Sequence, residues 1–276
     1  MKMKINKTLL ASGIVSMLWG NLALAAYLDE VLADNPVAYY RFEETSGTTA
    51  NDTTANTNNG TYQNGVLINQ PGAAQLGKAA RFDGIDDHVV TQRTVSGNFT
   101  LELWINTSAS SPGGSHAFEG NGLLWSDVGG GGNDFVMAVL NDRLSFFTGN
   151  PDTTVTAATA INDGRWHHLV ATRTQGGNAE IFVDGISQGT TTTNNNLLDA
   201  NPQIMIGANT LDSRYFNGLI DEVAYYPTVL GIDRIKAHYL AGSSVTAVPT
   251  LNEWALIGLM AILSLFGVYT LRRHRI

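Results

Sequence analysis

The stretch Asp163-Gly164-Arg165-Trp166-His167-His168-Leu169-Val170-Ala171-Thr172-Arg173-Thr174-Gln175-Gly176-Gly177-Asn178-Ala179-Glu180-Ile181-Phe182-Val183-Asp184-Gly185-Ile186-Ser187-Gln188-Gly189 decides the fold. Trp166 to Thr174 is rich in aromatic, β-branched and aliphatic residues, the types that fit a pleated strand. Gly176-Gly177-Asn178 supplies residues that tolerate positive φ and reverse the chain, which makes Ala179 to Val183 the antiparallel partner. Asp184-Gly185 fits a type I′ turn, whose twist matches its flanking strands, and Ile186 to Thr190 then pairs back. Two tight turns this close exclude a helix.

Outward from this stretch, three more segments complete a pattern. Val37-Ala38-Tyr39-Tyr40-Arg41-Phe42-Glu43-Glu44 reads as a first strand, and Ala80-Arg81-Phe82-Asp83-Gly84-Ile85-Asp86-Asp87-His88-Val89 as two strands about a Phe-Asp-Gly-x-Asp-Asp turn. Phe216 to Tyr226 reads as a closing strand. In this order, with the Trp-His-His strand and its Asp-Gly hairpin, the four segments resemble the laminin G-like jelly-roll family of concanavalin A-like lectin/glucanase folds. The resemblance covers about Tyr27 to Gly242 and implies an all-β sandwich of two antiparallel sheets. It does not select a function, because this fold hosts lectins, adhesion modules and hydrolases alike.

The two ends read differently from the body. Lys2, Lys4 and Lys7, an apolar run from Leu9 to Trp19 and a small-residue Ala23-Leu24-Ala25 site make residues 1–25 a cleaved secretory signal peptide. Trp254 to Leu271 is an uncharged, largely apolar run, followed by Arg272, Arg273, His274 and Arg275. As a helix of about 27 Å it is long enough for a transmembrane segment, with residues 272–276 as a basic cytoplasmic tail. Val248-Pro249-Thr250-Leu251-Asn252-Glu253-Trp254, this run and the Arg272, Arg273, Arg275 cluster resemble a bacterial C-terminal sorting signal of the Ile-Pro-Thr-Leu (IPTL-CTERM) type. Val248 departs from the Ile of that pattern. The resemblance implies an exosortase-like processing enzyme as partner; the alternative is a permanent single-pass membrane anchor. Residues 243–253 are then linker and sorting motif, and residues 26–242 one domain.

That body holds 10 Lys and Arg against 23 Asp and Glu, a formal charge near −13. Such a surface repels phosphate backbones and suits hard cations, so nucleic acid is not an expected partner. Without a cysteine there is no disulfide, thiolate zinc site, cysteine nucleophile or acylated-cysteine anchor.

Catalytic patterns are absent or misplaced. Hydrolases of the resembled fold commonly set Glu-x-Asp-x-x-Glu on one strand, and no such spacing occurs. Glu102 alternates with Leu101 and Leu103 and reads as part of a solvated strand face. Gly185-Ile186-Ser187-Gln188-Gly189 spells a nucleophile elbow but lies in a hairpin, where no helix follows the serine. His167 and His168 point to opposite faces of one strand and cannot share a metal. Asp127 to Asp134, with four glycines, reads as a mobile connection rather than a phosphate loop, and Thr-rich residues after Phe147 as a polar crossing.

The positive expectation is an exported bacterial surface module that recognises glycan or protein ligands and is not an enzyme. The alternatives are a carbohydrate-active enzyme on the same fold, or a structural matrix or adhesion component. Phe118, Trp125 and Tyr215 are the candidates for stacking on a sugar. Calcium, which takes six to eight oxygens, is the ion this composition could hold. Asp52 and Asn59 in the Thr/Asn-rich first loop and Asp221 on the last strand are its candidate ligands, since first and last strands neighbour each other in a jelly roll. Asx turns and a solvated edge are the alternative for the same residues.

Overall fold

The computed structural model describes residues 27–73 and 77–243. The chain divides into two compact units, Met1–Ser244 and Val245–Ile276, and the second lies outside the described residues. So do the signal peptide and the transmembrane, sorting and tail segments expected from the sequence. Among the described residues no helix is long and apolar enough to cross a membrane.

The described body contains the strands β1 (Ala38–Tyr40), β2 (Thr49–Ala50), β3 (Gly60–Gln63), β4 (Leu67–Pro71), β5 (Lys78–Asp83), β6 (His88–Gln92), β7 (Phe99–Asn106), β8 (Asn121–Ser126) and β9 (Phe135–Leu140). There follow β10 (Arg143–Thr148), β11 (Thr153–Ala160), β12 (Trp166–Arg173), β13 (Asn178–Val183), β14 (Ile186–Thr192), β15 (Gln203–Ile206), β16 (Ala208–Asn209), β17 (Arg214–Tyr215) and β18 (Asn217–Tyr226). Helix α1 spans residues 27–33, and α2 is Ile232–Gly242.

One sheet has the order β14-β13-β12-β7-β18-β5-β4, and the other β11-β10-β9-β8-β15-β6-β3-β2. Every pairing is antiparallel, as the resemblance implied. First and last strands are neighbours: Tyr39 stands opposite Ala224. Strand β18 shares one edge between β5, along residues 217–220, and β1, along residues 223–225. Asp221 and Glu222 fall in the gap, where the register against β7 shifts and Glu222 has φ 52°.

The core between the sheets follows from period-2 alternation. Phe99, Leu101, Leu103 and Ile105 of β7 meet Phe135, Met137, Leu144 and Phe146 from the other sheet. The predicted Asp184-Gly185 hairpin closes on a type I′ turn, with φ 53° and 73°, and the β9–β10 hairpin does so too at Asn141 and Asp142, with φ 53° and 61°. The Thr-rich crossing is in fact a strand, β11, at a sheet edge. β-branched threonines suit a pleated edge whose outward side chains are wet, so polarity was a poor guide there.

The outer face of the first sheet is also apolar, and the two helices cover it. Trp104, Val170, Phe182 and Tyr226 pack there against Tyr27, Val31 and Ile235. Glu102 lies beneath them with no exposed surface, which corrects the solvated reading of its strand face. The error came from taking one polar residue in an alternating strand as a sign of water, when two helices and the neighbouring strands supply its partners.

Candidate functional site

The second sheet has an outward apolar face of its own, made by Trp125, Val136, Ala138 and Phe147. Only a short 3-10 turn, Ala117–Glu119, lies over it. Its Phe118 meets Phe147 edge-on, with ring centroids 5.2 Å apart at 89°, and stacks flat on His116 at 5.0 Å. Glu119 folds back to accept hydrogen bonds from the backbone N–H groups of Ser115 (2.6 Å) and His116 (2.9 Å), which lower its pKa. Asn209 Nδ2 donates to the Phe118 carbonyl at 3.1 Å and ties the turn to the next loop.

Beside Phe118 opens a cleft of about 450 Å³, walled by Phe118, Phe147, Val128 and Leu211 and by Asp127, Asp152 and Asp212, with Gly129 and Gly130 at its lip. An aromatic wall with polar groups at its edge is the usual make-up of a small-ligand site. At its margin Asp134 is 1% exposed. Its Oδ2 accepts a 3.3 Å hydrogen bond from the Val128 N–H, and its Oδ1 has no partner. Burial, then the adjacent Asp127 carboxyl, push its pKa up to about 7. Sequence reading passed over this residue as the end of a glycine linker. The available signal was an aspartate on the threshold of Phe135–Leu140, a strand buried at every position.

The three stacking candidates do not form one platform. Phe118 lines the cleft, whereas Trp125 lies 1% exposed in the cluster beneath, its Nε1 without a partner. Tyr215 borders a separate, open cleft of about 500 Å³ with Arg214 and Asn217, and its ring leans on His88 at 6.5 Å.

The proposed calcium ligands also separate. Asp52 accepts hydrogen bonds from the N–H groups of Tyr39 (3.0 Å), Thr54 (2.9 Å) and Asn58 (2.8 Å) and from the Thr54 hydroxyl (2.8 Å). Asn59 Oδ1 accepts from the Asp52 N–H at 2.9 Å. Their oxygens close an Asx-type loop. Asp221 stands elsewhere, fully buried at the β18 bulge, its Oδ2 taking the Ala73 N–H at 2.9 Å and its Oδ1 unpartnered. Glu222 beside it accepts from the Tyr39 hydroxyl and, at 3.3 Å, from Arg41 Nε. Burial, then Glu222, hold the Asp221 carboxyl well above the usual range, and burial lifts Glu222 to about 8 against the pull of Arg41. A Cβ at Gly72 would stand 2.7 Å from Asp221 Oδ2 and 3.0 Å from the Gly77 carbonyl oxygen, so backbone oxygen closes on the acid. Asp221 Oδ1 is left idle while Oδ2 and the Gly77 carbonyl close on Gly72, and oxygen donors are the type a hard cation takes.

Asp83, Asp86 and Asp87 bring carboxylate oxygens within 4.8 Å of one another, with Asp83 and Asp87 serving as turn acceptors. Asp83 Oδ1 takes the Ile85 N–H at 2.8 Å and Asp87 Oδ2 the Asp83 N–H at 3.0 Å.

Glu102, the carboxylate a hydrolase reading would need, has both oxygens engaged. Oε1 accepts from the Tyr27 hydroxyl (3.0 Å) and His168 Nε2 (2.7 Å), and Oε2 from the Tyr226 hydroxyl (2.7 Å) and His238 Nδ1 (2.9 Å). Burial opposes its ionisation, but His238 and His168 outweigh that and hold its pKa well below the usual range. This pins both helices to the sheet. His168 serves here, while His167 bonds Asp184 (2.8 Å) and Asp163 (3.2 Å), so the two histidines do act apart.

Residues 82–236 match the family profile described as the concanavalin A-like lectin/glucanases superfamily, and residues 246–273 match the IPTL-CTERM motif. No curated protein matches the chain. Among solved structures, the chain is similar to domain 4 of AbnA, a GH43 extracellular arabinanase from Geobacillus stearothermophilus, in complex with arabinotriose. The TM-score is 0.59 at 19% identity, over 74% of this chain and 98% of that one. It is also similar to the binding domain of Paraclostridial Mosquitocidal Protein 1, with TM-score 0.59 at 14% identity over 75% of this chain and 52% of that one. A third is the binding domain of botulinum neurotoxin DC in complex with rat synaptotagmin II, with TM-score 0.56 at 13% identity over 75% and 52%. The chain thus spans about half the length of these toxin binding domains. At these identities the likeness is one of fold.

Proposed function

We propose, from the premise that this chain belongs to the concanavalin A-like lectin/glucanases superfamily, that it is an exported surface module binding glycan in the cleft beside Phe118. The cleft itself carries the reading: a half-buried aromatic ring beside carboxylates in one cleft is what a sugar ring needs for stacking and hydroxyl hydrogen bonding. That a similar domain binds arabinotriose supports it. A protein ligand is the second reading, supported by the toxin binding domain in complex with synaptotagmin. The role is non-enzymatic, which the structural employment of Glu102 supports. A calcium ion at Asp221 belongs to the proposal as a brace for the β18 bulge. The C-terminal motif supports sorting at the envelope by an exosortase-like enzyme that removes the chain from about Trp254 onward.

A glycan array probed with the purified protein, with and without chelator, tests the binding role. Binding of a polysaccharide or oligosaccharide that Phe118→Ala weakens tenfold or more is expected. A protein that binds no glycan, or binds it equally well as Phe118→Ala, overturns the assignment. Intact mass in the native host tests sorting: a mature chain still ending at Ile276 would leave the segment as a plain anchor.

A further inference from the structure

The hydrogen-bonding partners of both His238 ring nitrogens are acceptor oxygens. The residue lies on α2 with no exposed surface. Its Nδ1 stands 2.9 Å and 3.1 Å from the two carboxylate oxygens of Glu102 on β7. Its Nε2 stands 3.2 Å from the Glu30 carbonyl of α1 and 3.0 Å from Oδ2 of Asp34, the residue that follows that helix. A neutral imidazole has one N–H, so it can donate to Glu102 or to Asp34 but not to both. Whichever nitrogen lacks the proton then points a lone pair at a carboxylate oxygen 2.9 or 3.0 Å away. Only the imidazolium satisfies both sides, and as such it is a charged bridge between the sheet and α1.

The groups around the ring leave this role to His238 alone. His168 on β12 meets Glu102 through Nε2 at 2.7 Å while its Nδ1 has no partner, so one N–H suffices there. Tyr27 on α1 and Tyr226 on β18 flank the His238 ring, with centroids 6.4 Å and 6.1 Å away, and both give their hydroxyls to Glu102. On α2 itself Arg234 turns to Asp34 (2.8 Å) and Glu30 (2.7 Å), part-exposed pairs that persist at any pH at which the acids are ionised. Burial and Arg234 oppose a charge on His238, but Glu102 and Asp34 outweigh them and raise its pKa. The remaining hold on α1 is apolar, through Tyr27 and Val31.

We propose that His238 is a pH-operated latch for α1: charged, it clamps the helix onto β7, and neutral, it lets the helix loosen from the apolar face made by Trp104, Val170 and Phe182. Because docking raises the His238 pKa, the extra grip is complete below the undocked value near 6.5 and is lost as pH rises through the docked value. Within that window the docking equilibrium weakens by up to about tenfold per pH unit. The latch is independent of the Phe118 cleft, which lies on the other sheet.

The test is amide hydrogen exchange of the full chain at pH 5.5 and pH 8.5, read by mass spectrometry on peptides spanning residues 27–35 and corrected for the intrinsic pH dependence of exchange. Protection of α1 is expected to fall threefold or more between the two, and peptides of β9 and β10 to change less. His238→Gln should give at pH 5.5 the low protection that wild type has at pH 8.5, with the pH dependence gone. Equal wild-type protection at both pH values overturns the latch, as does a loss that His238→Gln retains in full. Should far-UV circular dichroism show that His238→Gln does not fold, Asp34→Asn decides. Its amide can accept from a charged ring or donate to a neutral one, so most of the pH dependence should vanish, and full retention overturns the latch.

Discussion

The two outer faces of the sandwich bury acids in opposite ways. Over the β12-β7-β18 sheet, helices α1 and α2 seal Glu102 with two histidines and two tyrosines, so the charge is compensated and the surface closed. Over the β8-β9-β10 sheet, a three-residue turn covers the apolar face, and Asp134 is left with an idle oxygen at an open cleft. A paired buried charge is held ionised by its partners, whereas burial without partners favours the protonated acid.

The comparison breaks most readily at Glu102. Glu102→Ala leaves His168, His238, Tyr27 and Tyr226 without their shared acceptor and is expected to cost about 3–5 kcal/mol. Thermal unfolding read by tryptophan fluorescence checks this, because Trp104 lies in the same cluster and its Nε1 donates to the Tyr27 hydroxyl at 3.0 Å. An unchanged midpoint would mean that the helices are held by apolar contact alone.

A smaller effect is expected where the organising hairpin meets α2. Gly185 has φ 73°, and a Cβ there would stand 3.3 Å from Tyr239. Gly185→Val combines backbone strain with this contact and should cost about 1–3 kcal/mol. Chemical denaturation gives the value, and a loss below the detection limit would reject the type I′ turn.

The hairpins, the alternating core and the neighbouring first and last strands were legible because turn chemistry and period-2 hydrophobicity are local signals. The partners of Glu102 lie 66 to 136 positions away, and no local pattern reveals that helices at both ends of the domain converge on one strand. The adjacency of first and last strands from which a cation site was expected is present, but Asp52 and Asn59 turn their oxygens onto their own loop, away from Asp221. Asp134 escaped notice because Gly132, one of the glycines that permit its burial, fell in a glycine run that looked like flexibility from sequence alone.

The smallest expected effect sharpens the contrast through pH. Asp134 is lifted to about 7 and Glu222 to about 8, so in chelator the folded protein keeps protons that the unfolded chain has already lost. Their contribution to stability is complete below the unfolded values near pH 4 and is lost as pH rises through 7 and 8. Glu102 runs the other way: its lowered pKa adds stability that is present above its unfolded value and lost only in acid. Between pH 5 and pH 8 these two raised acids, with His167 and His238, whose raised pKa values act in the same direction, should therefore dominate, and the melting midpoint in chelator should fall by a few degrees, each kcal/mol being worth roughly 2–4 °C in a body of this size. The calcium proposed at Asp221 would favour the deprotonated acid, so adding it should raise the midpoint at pH 8 more than at pH 5. A midpoint that rises with pH in chelator would show that Asp134 and Glu222 keep no extra proton in the fold, and a calcium effect equal at both pH values would overturn the ion proposed at Asp221.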